Sequence, residues 1–163
     1  MPETDSPPHS LPSDDPIGLQ SFAVLLRRMN AEFNRIAQEF AQAQGLHLTD
    51  VQALIAVLDA DASEDGPMTP GRLRARLDLT SGAMTACLDR LERSGHLHRV
   101  RSAEDRRVVH LHYAQAARKV ARDYFRPLAQ GTDRVRSRFT EQELRVAARF
   151  LAELNGELDH IGR

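Results

Sequence analysis

Apolar residues recur at steps of three and four from Ile17 onward. Phe22, Leu25, Leu26, Met29, Phe33, Ile36 and Phe40 mark one face of a long helix that Gly45 stops. Thr49 and Gln52 read as a capping box opening a second, shorter helix with Val51, Leu54, Ile55 and Leu58 on its apolar face. After the loop DASEDGPM, Thr69 and Pro70 form an N-cap and first-turn pair for a third helix, GRLRARL, which buries Leu73 and Leu77. The stretch LTSGAMTACLDRLERSG, Leu79 to Gly95, predicts a fourth helix capped by Thr80 and closed by Gly95. Two short alternating runs around the turn SAED predict a β-hairpin whose buried face holds Leu97, Val109, Leu111 and Tyr113. Two helices follow. One runs from Ala114 to about Arg138 with a bend at Pro127; the other opens on the capping box Thr140 to Glu143. The last carries Leu144, Ala147, Leu151, Leu154, Leu158 and Ile161 near heptad spacing.

Residues 1 to 16 depart from this pattern. They hold five prolines and four acids with no Lys or Arg, which predicts a disordered acidic tail ahead of a single domain over 17–163. A chain of 163 residues, 41% hydrophobic, can bury the core of one such domain. No window nears the roughly 18 apolar residues of a membrane span, and the N-terminus lacks a signal peptide's basic start and apolar core, so the expected location is the cytoplasm with no membrane partner. The only cysteine, Cys87, leaves no internal disulfide and no Cys-rich metal framework. No Ser/His/Asp or Cys/His arrangement, phosphate-cradling Gly-rich loop or metal-ligand helix is present, so no enzyme, cofactor or metal is expected.

The order of these elements, two short helices, a third beginning LTSGAMT and then a hairpin, is that of a winged helix-turn-helix, whose last helix enters the DNA major groove. At about 100° per residue the helix after Leu79 is two-faced. Met84, Cys87, Leu88 and Leu91 lie on one side and Gly82, Thr85, Ala86, Asp89 and Arg93 on the other. Small residues near its start allow either close approach to bases and phosphates or tight helix packing. Charge favours the first. Between Gly71 and Arg107 nine arginines face five acids, a net of +4 in a chain of net charge -1, and basic charge gathered on one unit is the electrostatic footprint of a nucleic-acid binder.

LTSGAMTACLDRLERSGHLHRVRSAEDRRVVHLHY resembles the recognition helix and wing of the MarR family of bacterial regulators. GLHLTDVQALIAVL resembles the family's second helix, Asp105-Arg106-Arg107 its D-x-R wing signature, and FTEQELRVAARFLAELN its C-terminal dimerisation helix. The resemblance implies a mainly α fold with a small hairpin wing: a winged helix-turn-helix over about 47–113 and dimerisation helices over about 17–44 and 114–161. It further implies a homodimeric repressor on double-stranded DNA, at a palindromic operator. Carried over residue by residue, Thr80, Ser81, Gly82, Thr85 and Arg90 fall at the major groove, and Arg106 and Arg107 reach the minor groove. Asp105 orients a wing arginine, because a carboxylate facing phosphates is repelled.

The resemblance also implies a small aromatic or anionic effector as a partner, with Phe22, Met29 and Phe33 as its candidate contacts. The family's peroxide sensors carry a cysteine near the start of helix 1, which this chain lacks; Cys87, on the buried side of its helix, is expected to be inert. If Leu97 pairs with Leu111, then His96 faces His112 and His98 faces His110, four histidines on one exposed face. They read as solvated groups on a basic hairpin rather than a metal site, since no carboxylate second shell accompanies them. The rival to a DNA-binding regulator is a winged-helix protein-interaction module without DNA binding.

Overall fold

The computed structural model describes residue 15 and residues 17–61 and 66–161, so all of the expected acidic tail except Asp15 lies outside the described residues. Six helices and one hairpin follow in the order α1 (Leu19–Gln44), α2 (Leu48–Asp61), α3 (Pro70–Arg76), α4 (Ser81–Arg93), β1 (Leu97–Arg101), β2 (Val109–Tyr113), α5 (Gln115–Arg136) and α6 (Glu141–Ile161). Each boundary has a local cause. Gly45 ends α1 in the left-handed region at φ 64°, and its own and the next N–H close on the last carbonyls of the helix. Thr69 and Thr80 cap α3 and α4, their hydroxyls accepting from the N–H of Arg72 and Ala83. At the head of α6, Thr140 and Glu143 form the reciprocal capping box, whose hydroxyl and N–H donors hold the Glu143 carboxyl below its ordinary range. The helix that contains Pro127 continues to Arg136.

The start of α2 differs from expectation. Thr49 lies inside the helix, and the cap belongs to His47 and Asp50: the His47 N–H donates to the Asp50 carboxylate at 2.9 Å while the His47 carbonyl accepts from Asp50 and Val51. Asp50, at the third helical position, thus reaches back to the N–H of His47, as Gln52 would have reached back to that of Thr49 in a box two residues later.

Two compact units make up the chain, one ending at Ala117 and the other beginning at Arg118. The core belongs to the first. Phe40 of α1, Leu54 and Val57 of α2, Leu73 of α3, Leu91 of α4 and Leu111 of β2 are all sealed from solvent. Between α3 and α4, Asp78 takes φ 49°, a conformation Asp tolerates better than most residues, and this sharp corner is the turn of the helix-turn-helix. The hairpin is antiparallel with Leu97 opposite Tyr113, His98 opposite His112 and Arg99 opposite Leu111. Met68 adds a bridge to Leu111, so the wing's base is pinned to the segment that leads into α3. In the second unit, no described side chain of α6 is buried, and only Leu144 and Leu154 are half-buried.

Candidate nucleic-acid interface

Helix α4 divides as its spacing predicts. Met84, Cys87, Leu88 and Leu91 are buried, while Ser81, Gly82, Ala83, Thr85 and Ala86 are exposed. A Cβ added at Gly82 would meet nothing within 4 Å. Packing among the described residues therefore does not explain the small residues, and no described residue covers the open face. The Ser81 hydroxyl accepts from the Arg74 guanidinium of α3 at 2.8 Å, and the Thr85 hydroxyl donates back to the Ser81 carbonyl at 2.9 Å. Thr80, already the cap, is exposed beside them.

Arg90 departs from the expected groove contact. Its guanidinium grips both oxygens of Asp50, at 3.0 Å through Nε and 2.7 Å through Nη2, and Asp50 is fully buried in α2. Burial works against the Asp50 carboxylate. The Arg90 bonds, the His47 N–H and the Cys87 thiol outweigh it and hold its pKa below the usual range. Burial, with Asp50 beside it, pushes the Cys87 thiol up to about 12, which makes it unreactive. Removing one partner of such a pair strands a buried charge, at a cost of about 3–5 kcal/mol. Arg90 thus joins α4 to α2 instead of facing a groove. The importance of Asp50 was missed in the sequence, although an acid in the first turn of a helix, with Val51, Ala53 and Leu54 beside it, is a signal for a buried, paired carboxylate.

The wing turn braces itself. The Ser102 hydroxyl accepts from the N–H of Glu104, and the Asp105 carboxylate accepts from the N–H of Arg107 at 2.9 Å. Asp105 therefore orients the wing through the Arg107 backbone, and no guanidinium among the described residues is paired to it. Three of the nine arginines are neutralised: Arg76 by Asp59, Arg90 by Asp50, and Arg99 by Asp89 and Glu92. Arg74, Arg93, Arg101, Arg106 and Arg107 are exposed with no ion pair among the described residues. Basic charge thus remains beside the open end of α4 and along the wing.

A family model described as MarR family matches residues 60–109, which span the end of α2 to the start of β2. An uncharacterized HTH-type transcriptional regulator, YcgE of Bacillus subtilis, is 34% identical over 129 residues, covering 79% of this chain and 80% of that protein. The chain belongs to the MarR family. Among solved structures, FabT of Streptococcus pneumoniae in complex with DNA is 26% identical with a TM-score of 0.55, covering 86% of this chain and 99% of that one. MepR of S. aureus in DNA-binding conformation has the same fold, with a TM-score of 0.61 at 17% identity over 84% and 98% of the two chains. A MarR-family protein is a DNA-binding transcriptional regulator and not an enzyme.

One further expectation is corrected within this MarR fold. The hairpin register is shifted from the expected one: His98 faces His112 rather than His110, and His96 precedes the strand and is buried. The shift follows from Leu97 and Tyr113 pairing on the core face. His98 and His112 stack at 5.8 Å, and His110 stands at 6.3 Å from His112. Among the described residues, no three His, Cys, Asp or Glu side chains are placed to hold a metal ion. On α1, Phe22 is half-buried, while Met29 and Phe33 are 43% and 48% exposed. No helix of the described residues is long and apolar enough to cross a membrane.

Proposed function

We propose that this MarR-family protein is a cytoplasmic, homodimeric repressor of a palindromic operator. The observation that carries the reading is the open face of α4, Ser81, Gly82 and Thr85, together with Arg106 and Arg107 of the wing, which are exposed with no ion pair among the described residues. The first three and Thr80 meet the major groove, where small side chains and free N–H groups let the helix end approach phosphates and base edges. The wing arginines enter the minor groove, drawn by its negative potential where it is narrow. Five exposed arginines without an ion pair among the described residues argue against a protein-interaction module that has lost DNA.

Exposed apolar side chains support the dimer: Leu25, Met29 and Phe33 on α1 and Val146, Phe150, Leu151 and Leu158 on α6. A two-fold interface would bury them and would set two recognition helices about 34 Å apart, matching a palindrome. A small aromatic or anionic effector, touching Phe22, Met29 and Phe33, would release the operator by binding one dimer geometry better than the other. The test is a gel shift with the duplex upstream of the protein's own gene, titrated at several salt concentrations. A retarded band, weakened by salt and by Arg107→Ala, is expected. No shift at any salt would overturn the reading, and an unchanged Arg107→Ala titration would remove the wing from it.

A further inference from the structure

Base discrimination in the major groove ordinarily comes from long side chains: Arg or Lys on guanine, Asn or Gln on adenine. Helix α4 contains no Lys, Asn or Gln, and its only arginines are Arg90 and Arg93. Arg93 sits in the last turn, about 18 Å along the axis from Ser81, whereas the first residues of a recognition helix are those that reach the bases. Arg90 stands about 80° round the helix from Gly82, close enough to the open face for a long side chain to swing toward it. It does not, because both oxygens of the buried Asp50 hold it. Asp89, the one acid on the open face and the group that could accept from cytosine, is taken by Arg99 at 2.8 Å.

We propose that Asp50 is a specificity-determining residue: by holding Arg90 against α2 it denies α4 a guanine reader, so the half-site is read through thymine methyl groups. On the exposed first half of α4 the Ser81 and Thr85 hydroxyls are engaged with Arg74 and the Ser81 carbonyl, while Ala83, Thr85 and Ala86 present methyls, and the C5 methyl of thymine is the apolar group the major groove offers them. Gly82 lets the helix come close enough for these short side chains to touch. Asp50 touches no DNA and acts as a positioning residue through Arg90.

The inference rests on the operator reading above, and its test separates the two. The full chain is used to select binding sites from a random-sequence duplex library, and each selected thymine under α4 is then replaced by deoxyuridine, which lacks only the methyl. About fourfold weaker binding per thymine is expected, the worth of one buried methyl. Asp50→Asn, which leaves Arg90 without its anionic anchor, should select sites that gain a guanine beside the thymines. Deoxyuridine duplexes bound as tightly as thymine duplexes, or a wild-type half-site fixed by guanine under α4, would overturn the inference while leaving the operator reading in place. Failure to enrich any sequence would remove the operator reading itself. The deoxyuridine series uses only the wild-type protein, so it decides the matter even if Asp50→Asn folds poorly.

Discussion

Helices α4 and α6 are both amphipathic, yet their apolar faces meet opposite fates. In α4 each of Met84, Cys87, Leu88 and Leu91 is at most 4% exposed, covered by the helices and hairpin of its own unit. In α6 no described member of the comparable stripe is buried: Leu144 and Leu154 are half-buried, and Leu151 and Leu158 are 44% and 54% exposed. A short helix with four sealed side chains is held by its own chain. A helix of 21 residues with none of its described side chains buried can gain its burial only from outside. On the proposed dimer, the same kind of sequence pattern serves folding in one place and assembly in the other. On the same proposal, the polar face of α4, stripped of bulk, is the part left over for DNA.

The largest effect should come from α6. Leu151→Glu places a charge in the stripe and should give monomers by sedimentation at micromolar concentration. Operator affinity should fall at least about a hundredfold, since a monomer holds one half-site and loses the avidity of the second. A dimer with intact affinity would mean that the exposed stripe of α6 is not an interface, and the contrast with α4 would collapse.

The end of α4 offers a smaller, pH-dependent test. The His96 N–H closes the last turn onto the Leu91 carbonyl, and the His96 carbonyl accepts from Ala114. Its ring is buried, and Nδ1 has no partner among the described residues. Burial lowers its pKa, so the unfolded chain takes up a proton near pH 6.5 that the folded chain resists. Stability should therefore fall as pH drops below about 6.5, by up to about 1.4 kcal/mol per pH unit until the folded-state pKa is reached. His96→Leu removes that proton uptake. Its melting temperature relative to the wild type should rise between pH 7 and pH 5, and parallel pH profiles would show that His96 is not the group that titrates.

Much of this was legible in the chain because it depends on local rules. The caps at Thr69, Thr80 and Thr140, the stop at Gly45 and the faces of α4 follow from spacing and from a few residue types. What could not be read depends on contacts between elements distant in sequence. Asp50 and Arg90 are 40 residues apart, and no periodicity announces that one will bury the other's charge. The hairpin register was missed for a related reason. Leu97 can face either Leu111 or Tyr113 with its side chain on the core side, since both lie on the same face of β2, and only the packing of the whole lobe decides. The displaced cap of α2 belongs here too, because Asp50 serves the helix end and Arg90 at once.

The smallest effect is the sharpest test of what the open face of α4 is for. Gly82 is the second residue of the helix, and a methyl added there meets nothing within 4 Å. Gly82→Ala should therefore stabilise the fold by roughly 0.5 kcal/mol, the helical preference of alanine over glycine. On DNA the same methyl would stand between the backbone of α4 and the groove, so operator affinity should drop several-fold while the melting temperature rises. Opposite signs in the two measurements would assign the glycine to binding rather than folding. If affinity instead held steady or rose with stability, the bare face would be an unused surface, and the DNA contact would have to lie with Arg74 and the wing.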